Sequence, residues 1–412
     1  MEASARITLL RLGAAYALAW VTTSMVAGPG SAALVSLTGT LTFSGLFVAL
    51  FYVGAAIGAG LGGRAMDRFG RRSPLIAAYL VAALGFTAAG VAVDRGSAAL
   101  FVPGVLLLAA AFGVVNLTRL AAAEMFPPAE RGSGVAWVQI AAIFGAVAGP
   151  LLLILSEPLG RLLGRAPLGL VWYFAPPLLV AAALLVRSGG EPRRYVEPPG
   201  SPAGLTTGAA GAGVPDAARL VLAGSVSLAA SQAAMASVMG VAGAAVSHAG
   251  HGVSVLGSLM LMHFLGMFAL SRLIGRIADV VGRRLTILSG LGLLATGGLV
   301  VAVVPGSTGF GIGLLLVGLG WSFGFIGSTV LITDVAAPER RARTLGRADL
   351  AAQLSAALIA TGGGWWFASR GLAGLGITAA AVAAAPVLLV AFVRERKPGH
   401  YMLSGPAGVE GR

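Results

Sequence analysis

The sequence predicts an all-α integral membrane protein, with twelve transmembrane helices in two six-helix bundles related by duplication. Three observations carry this. Of the 412 residues, 57% are hydrophobic and only 10% charged, with a mean hydropathy of +0.90; a soluble domain carries roughly 25% charge. Apolar stretches long enough to cross about 30 Å of hydrocarbon recur along the whole chain. An arginine-rich decapeptide occurs twice, once in each half.

The apolar stretches fall near 9–29, 38–61, 73–93, 98–120, 132–155 and 168–186, then near 218–246, 253–273, 285–304, 308–332, 345–368 and 373–393. Residues 1–186 therefore read as a first bundle and 217–393 as a second, with 394–412 as a tail. Between the bundles, 187–216 is rich in Gly, Pro, Ala, Ser and Thr and reads as a flexible linker. The 62 glycines fit helices that approach closely inside a bilayer. Arg6 and Arg11 precede a first apolar run with no clear A-x-A cleavage site, so it reads as a retained helix.

The repeat is specific. Gly63-Arg64-Ala65-Met66-Asp67-Arg68-Phe69-Gly70-Arg71-Arg72 aligns with Gly275-Arg276-Ile277-Ala278-Asp279-Val280-Val281-Gly282-Arg283-Arg284, with six of ten positions identical at an offset of 212. A second echo pairs Glu124…Glu130-Arg131 with Asp334…Glu339-Arg340 at offsets of 209–210. Two echoes at nearly constant spacing imply duplication of a six-helix unit. With both termini inside, every basic residue but Arg95, Arg161, Arg165 and Arg370 falls on one side, which predicts cytoplasmic termini in a bacterial inner membrane.

The net charge of +13 is dispersed through short loops without aromatic–basic stripes, which excludes nucleic acid as a partner and leaves the lipid bilayer as one. There is no cysteine, so no disulfide or thiolate site exists, and a soft metal would rest on Met or His. No G-x-x-x-x-G-K, HExxH or nucleophile-elbow motif is present, so an enzyme is not expected.

The G-x-x-x-D-R-x-G-R-R pattern at 63–72 closely resembles the loop 2–3 signature of the major facilitator superfamily, and the copy at 275–284 its loop 8–9 equivalent. The resemblance covers the whole chain. Two glycines are read as permitting a tight turn between helices, while the arginines hold the loop inside. It implies a gate in which Asp67, Arg68, Arg71 and Asp279 make charge contacts that break as the bundles rock. Glu124 and Asp334 sit at repeated positions, and pairing with loop arginines is their expected role. Asp349 is the nearest candidate for a proton carrier.

Five of the ten methionines lie within 235–267. Met235-x-x-x-Met239 and His263-x-x-x-Met267 each place two side chains on one helix face, in spans 7 and 8. Thioether sulfur and imidazole nitrogen suit Cu(I). The two motifs resemble those of the CcoA-like copper importers. That resemblance implies import of copper as substrate, with no resident cofactor, serving assembly of cbb3-type haem-copper oxidases. The expected ligands are Met235, Met239, His263 and Met267 with Met260 auxiliary, and His248 and His251 are candidates for metal capture in the outer loop.

The competing expectation is an organic-solute carrier of the same fold, for riboflavin uptake or drug efflux. A flavin needs aromatic faces and amide donors. Trp20, Trp137, Trp172, Trp321, Trp365 and Trp366 could supply the first, and Asn116, Gln139, Gln232 and Gln353 the second. A third expectation is a membrane sensor that binds copper without moving it.

Overall fold

The computed structural model describes residues 3–126, 131–192, 217–336 and 341–393. The first half comprises α1 (Ala3–Val26), α2 (Pro29–Thr38), a short 3-10 turn (Leu41–Phe43), α3 (Leu46–Phe69), α4 (Arg72–Asp94), α5 (Ala98–Val115), α6 (Thr118–Ala123), α7 (Arg131–Leu163) and α8 (Pro167–Ser188). The second comprises α9 (Ala217–Met239), α10 (Ala242–His248), α11 (Val253–Phe268), α12 (Ser271–Val281), α13 (Arg283–Val303), α14 (Gly306–Val335), α15 (Arg341–Ala384) and α16 (Val387–Ala391).

Among the described residues, eleven segments are long and apolar enough to span a membrane. The last, Thr344–Ala391, runs 48 residues, about 70 Å if straight, and holds two crossings. Gly371, at φ 63° and ψ −159°, breaks it. Twelve crossings result. Large apolar side chains such as Leu84, Phe144, Leu358 and Leu388 stand exposed on the outer surface, as a lipid-facing wall requires.

The duplication is visible in the breaks. The opening span of the first half is interrupted after Val26 and resumes at Pro29; that of the second is interrupted after Met239 and resumes at Ala242. The loop signature, by contrast, is mostly helix. Gly63 lies inside α3 and Gly275 inside α12, so neither makes the turn expected of it. The turn falls to the second glycine of each copy, Gly70 at φ 80° and Gly282 at φ 96°. Helical propensity carries α3 eight residues past the expected end near 61, because Ala65, Met66, Asp67 and Arg68 contain nothing that stops a helix.

The two halves meet at the end opposite the arginine-rich loops. A Cβ on Gly243 would collide with the Gly28 carbonyl, and one on Gly45 with the Ala360 carbonyl. Ser31 Oγ accepts from Ala244 N at 3.2 Å, and Glu157 Oε2 accepts from Ser254 N at 2.9 Å. Every one of these contacts joins the first half to the second. Toward the basic end a cavity opens between the halves.

Candidate functional site

The cavity holds about 520 Å³ and draws its walls from both halves. An aromatic belt crosses it. Phe51 packs on Phe112 at 5.5 Å between ring centres, Phe112 on Trp20 at 5.7 Å, and Trp20 on Phe268 at 5.9 Å. Phe268 meets Trp321 at 6.3 Å, and Trp321 stacks on Phe325 at 4.8 Å with an interplanar angle of 17°. All six line the cavity. Edge-to-face and offset-stacked pairs are the preferred arrangements of aromatic side chains.

Polar groups are few and held in place. Trp321 Nε1 donates to Gln232 Oε1 at 2.6 Å, and Gln232 Nε2 donates to the Tyr52 hydroxyl at 2.8 Å. Tyr16 donates to Asn116 Oδ1 at 2.8 Å. Gln353 also lines the wall, and its Oε1 has no partner. Arg119 of the first half and Asp349 of the second stand toward the basic end of the cavity. Such a mostly apolar cleft with a few convergent polar groups is the usual form of a small-molecule site.

The predicted soft ligands are divided. Met235, Met239 and Met267 line the cavity; Met260 and His263 do not. His263 is fully buried and turns to α14, with Nδ1 2.9 Å from the Leu314 carbonyl and Nε2 unpartnered. Residues at i and i+4 diverge by about 40° around a helix, which is enough for Met267 to face the cavity while His263 packs against α14. His248 and His251 are exposed at the closed end, away from the cavity, and the His248 ring meets Phe367 at 6.5 Å.

Of the tryptophans, only Trp20 and Trp321 reach the cavity. Trp172 is buried among Phe47, Phe86 and Phe101, Trp137 and Trp365 are exposed on the outer wall, and Trp366 lies under Arg370. The side chain of Gln139 is outside the described residues. Sequence reasoning missed Tyr16, Tyr52, Phe51, Phe112, Phe268 and Phe325. Tyr52 carries a signal in retrospect, being the one hydrogen-bonding side chain from Leu46 to Gly63.

At the basic end, the two sequence echoes meet in each half. Arg71 binds Glu124 with two arms, Nε to Oε2 at 2.9 Å and Nη2 to Oε1 at 2.8 Å. Hydrogen bonding to Glu124 raises the Arg71 pKa further above its ordinary value. Its Nη1 also reaches Asp67 at 3.1 Å. In the second half Arg283 Nε meets Asp334 Oδ2 at 2.9 Å. Both pairs lie within one half, so they brace the loops rather than bridge the halves. Arg68 lies exposed over Phe69, and the Asp279 side chain is outside the described residues. Glu191, in the segment read as flexible linker, accepts from the backbone N–H of Arg71 at 2.6 Å and of Arg72 at 3.2 Å. Its carboxylate thereby caps the start of α4.

Known proteins agree with this architecture. The chain is 29% identical over 336 residues to an uncharacterized MFS-type transporter, YddS, of Bacillus subtilis (strain 168), covering 77% of this chain and 75% of the relative. It is 29% identical over 318 residues to the riboflavin transporter RfnT of Brucella anthropi, covering 73% and 74%. Among solved structures, the inward open conformation of the xylose transporter XylE from E. coli superposes with a TM-score of 0.69 at 17% identity, covering 96% of this chain and 97% of that one. A bacterial homolog of the human lysosomal transporter Spinster, inward-facing and occupied, gives 0.68 at 14% identity, covering 95% and 96%. The family model of the Major Facilitator Superfamily matches residues 12–224 and 221–407. With twelve crossings, a duplicated loop signature and that match over nearly its full length, the chain belongs to the Major Facilitator Superfamily and is a multi-pass membrane transporter.

Proposed function

We propose that this transporter carries an organic solute with a planar aromatic body, in the class of riboflavin, by alternating access through the central cavity. The observation that carries the reading is the aromatic belt from Phe51 to Phe325, with Gln232, Asn116 and Gln353 among it. A space of about 520 Å³ suits a ring system and is far more than a bare ion fills. The riboflavin transporter of Brucella anthropi, a relative at 29% identity, supports the same class.

The loop arginines support a cytoplasmic position for the basic end, in a bacterial inner membrane. The conformation is then inward-open, with the outer end sealed at Gly28–Gly243 and Gly45–Ala360. Rocking to the outward-open state separates those contacts and closes the mouth near Arg119 and Asp349. Asp67, whose side chain is 75% exposed here, then comes to face the second half.

Copper import is the second reading, and what favours it is three thioethers, Met235, Met239 and Met267, on the cavity wall. Cu(I) is served by such donors, but His263 and Met260 stand apart from them, and their side chains would have to turn to join. A role in oxidase assembly belongs to this second reading alone.

The deciding experiment is uptake of radiolabelled riboflavin and of radioactive copper by cells with and without the chain. Expression-dependent accumulation of riboflavin and not copper is the expected result. Copper accumulation abolished by Met235→Leu would overturn the organic-solute reading.

A further inference from the structure

We infer that Tyr52 and Gln232 form a paired donor edge that selects ring systems bearing two neighbouring acceptors, a carbonyl oxygen beside a ring nitrogen. The inference rests on the organic-solute reading above and narrows it.

The hydrogen-bond chemistry leaves one arrangement. An indole nitrogen can only donate, so the atom of Gln232 that lies 2.6 Å from Trp321 Nε1 is its oxygen. That fixes the amide, and Nε2 points to the Tyr52 hydroxyl at 2.8 Å. An amide nitrogen does not accept, so the Tyr52 oxygen is the acceptor in this contact. Two hydrogens remain, the second N–H of Gln232 and the O–H of Tyr52. Among the described residues, neither has an acceptor in the protein.

Both groups line the cavity, and Gln232 is buried. A buried donor without a partner is costly, so a ligand that accepts from it gains more than one offering only apolar contact. The donor atoms lie 2.8 Å apart, about the separation of a ring carbonyl oxygen and a ring nitrogen one carbon further on. Isoalloxazine and pteridine rings present such an edge. Trp321, stacked on Phe325, stands beside it as a face for the ring. Tyr52 belongs to the first half and Gln232 to the second. A solute accepting from both ties the halves together at the point where they rock.

The test is calorimetric binding to the purified full chain of riboflavin and its 1-deaza and 5-deaza analogues, in which CH replaces one ring nitrogen. The parent is expected to bind one deaza analogue about tenfold more weakly than riboflavin. Tyr52→Phe keeps the ring and removes the hydroxyl; it is expected to weaken riboflavin about tenfold, whichever of the two acceptors the hydroxyl serves. A parent that binds all three equally overturns the paired edge and leaves the organic-solute reading standing. Riboflavin binding unchanged in Tyr52→Phe does the same. Failure of the parent to bind any of the three overturns the flavin-class reading and the inference together.

Discussion

Arg71 grips Glu124 with two parallel hydrogen bonds, 2.9 and 2.8 Å long, and Arg283 meets Asp334 at 2.9 Å in the corresponding place of the second half. The two sequence echoes are thus the two partners of one contact, kept in both copies of the duplicated unit. In each case an arginine that opens the third span of a half ties down an acid at the end of the fourth. In the first half the pair is bidentate, which fixes orientation as well as charge.

The two pairs differ in burial, and that sets the expected cost of breaking them. The Arg71 side chain is 7% exposed and that of Glu124 19%, whereas Asp334 is 36% exposed. Glu124→Gln leaves a buried guanidinium short of its counter-charge and is expected to cost on the order of 3 kcal/mol. Asp334→Asn is expected to cost under about 1 kcal/mol, because water screens the exposed carboxylate. Thermal melting in detergent ranks them. An equal drop for both variants contradicts the burial argument.

Asp67 should behave differently again. It meets Arg71 at 3.1 Å but is mostly in water, so Asp67→Asn is expected to change stability by less than about 0.5 kcal/mol. Its effect is expected on turnover, since it alters the charge presented when the basic end closes. Solute binding near the parent value with slowed uptake is the expected outcome. Unchanged uptake would reduce Asp67 to a solvated loop residue.

Gly45 lies against the Ala360 backbone at the sealed end, with no room for a side chain. Gly45→Val is expected to oppose the inward-open state by about 1–3 kcal/mol, which shifts its population roughly 5- to 150-fold. The chain has no cysteine, so a single Leu350→Cys on the cavity wall reports access from the basic side. Labelling of that site by a membrane-impermeant thiol reagent should fall in the Gly45→Val background. Labelling at the parent rate would mean that the sealed end is not the one that opens.

The methionines separate the two functional readings. Met235→Leu and Met267→Leu preserve volume and apolarity, and such swaps usually cost under about 1.5 kcal/mol. An aromatic-solute carrier tolerates them, and His263→Gln as well, with less than about a threefold change in uptake. Trp321→Leu is expected to hurt far more, because it removes a stacking face and the donor that orients Gln232. The reverse ranking, measured as copper uptake at equal protein levels, would point to the thioethers.

The sequence by itself determined the number of crossings, the duplication, the basic end, and the pairing of loop arginines with Glu124 and Asp334. Each rests on one-dimensional information: apolar run length, charge placement, and a repeat offset. Of the six tryptophans and four amides it offered for a flavin, Trp20, Trp321, Asn116, Gln232 and Gln353 line the cavity. Only the tertiary structure decided which helix faces turn to the cavity. Met267 faces it while His263, four residues earlier, turns to the Leu314 carbonyl on α14. Tyr52 joins Gln232 across 180 positions of chain. Most positions on every face of a transmembrane helix are apolar, so hydropathy alone does not mark the face that lines a cavity. The small angle between i and i+4 positions and the approach of neighbouring backbones settle it, and both exist only once the helices have packed.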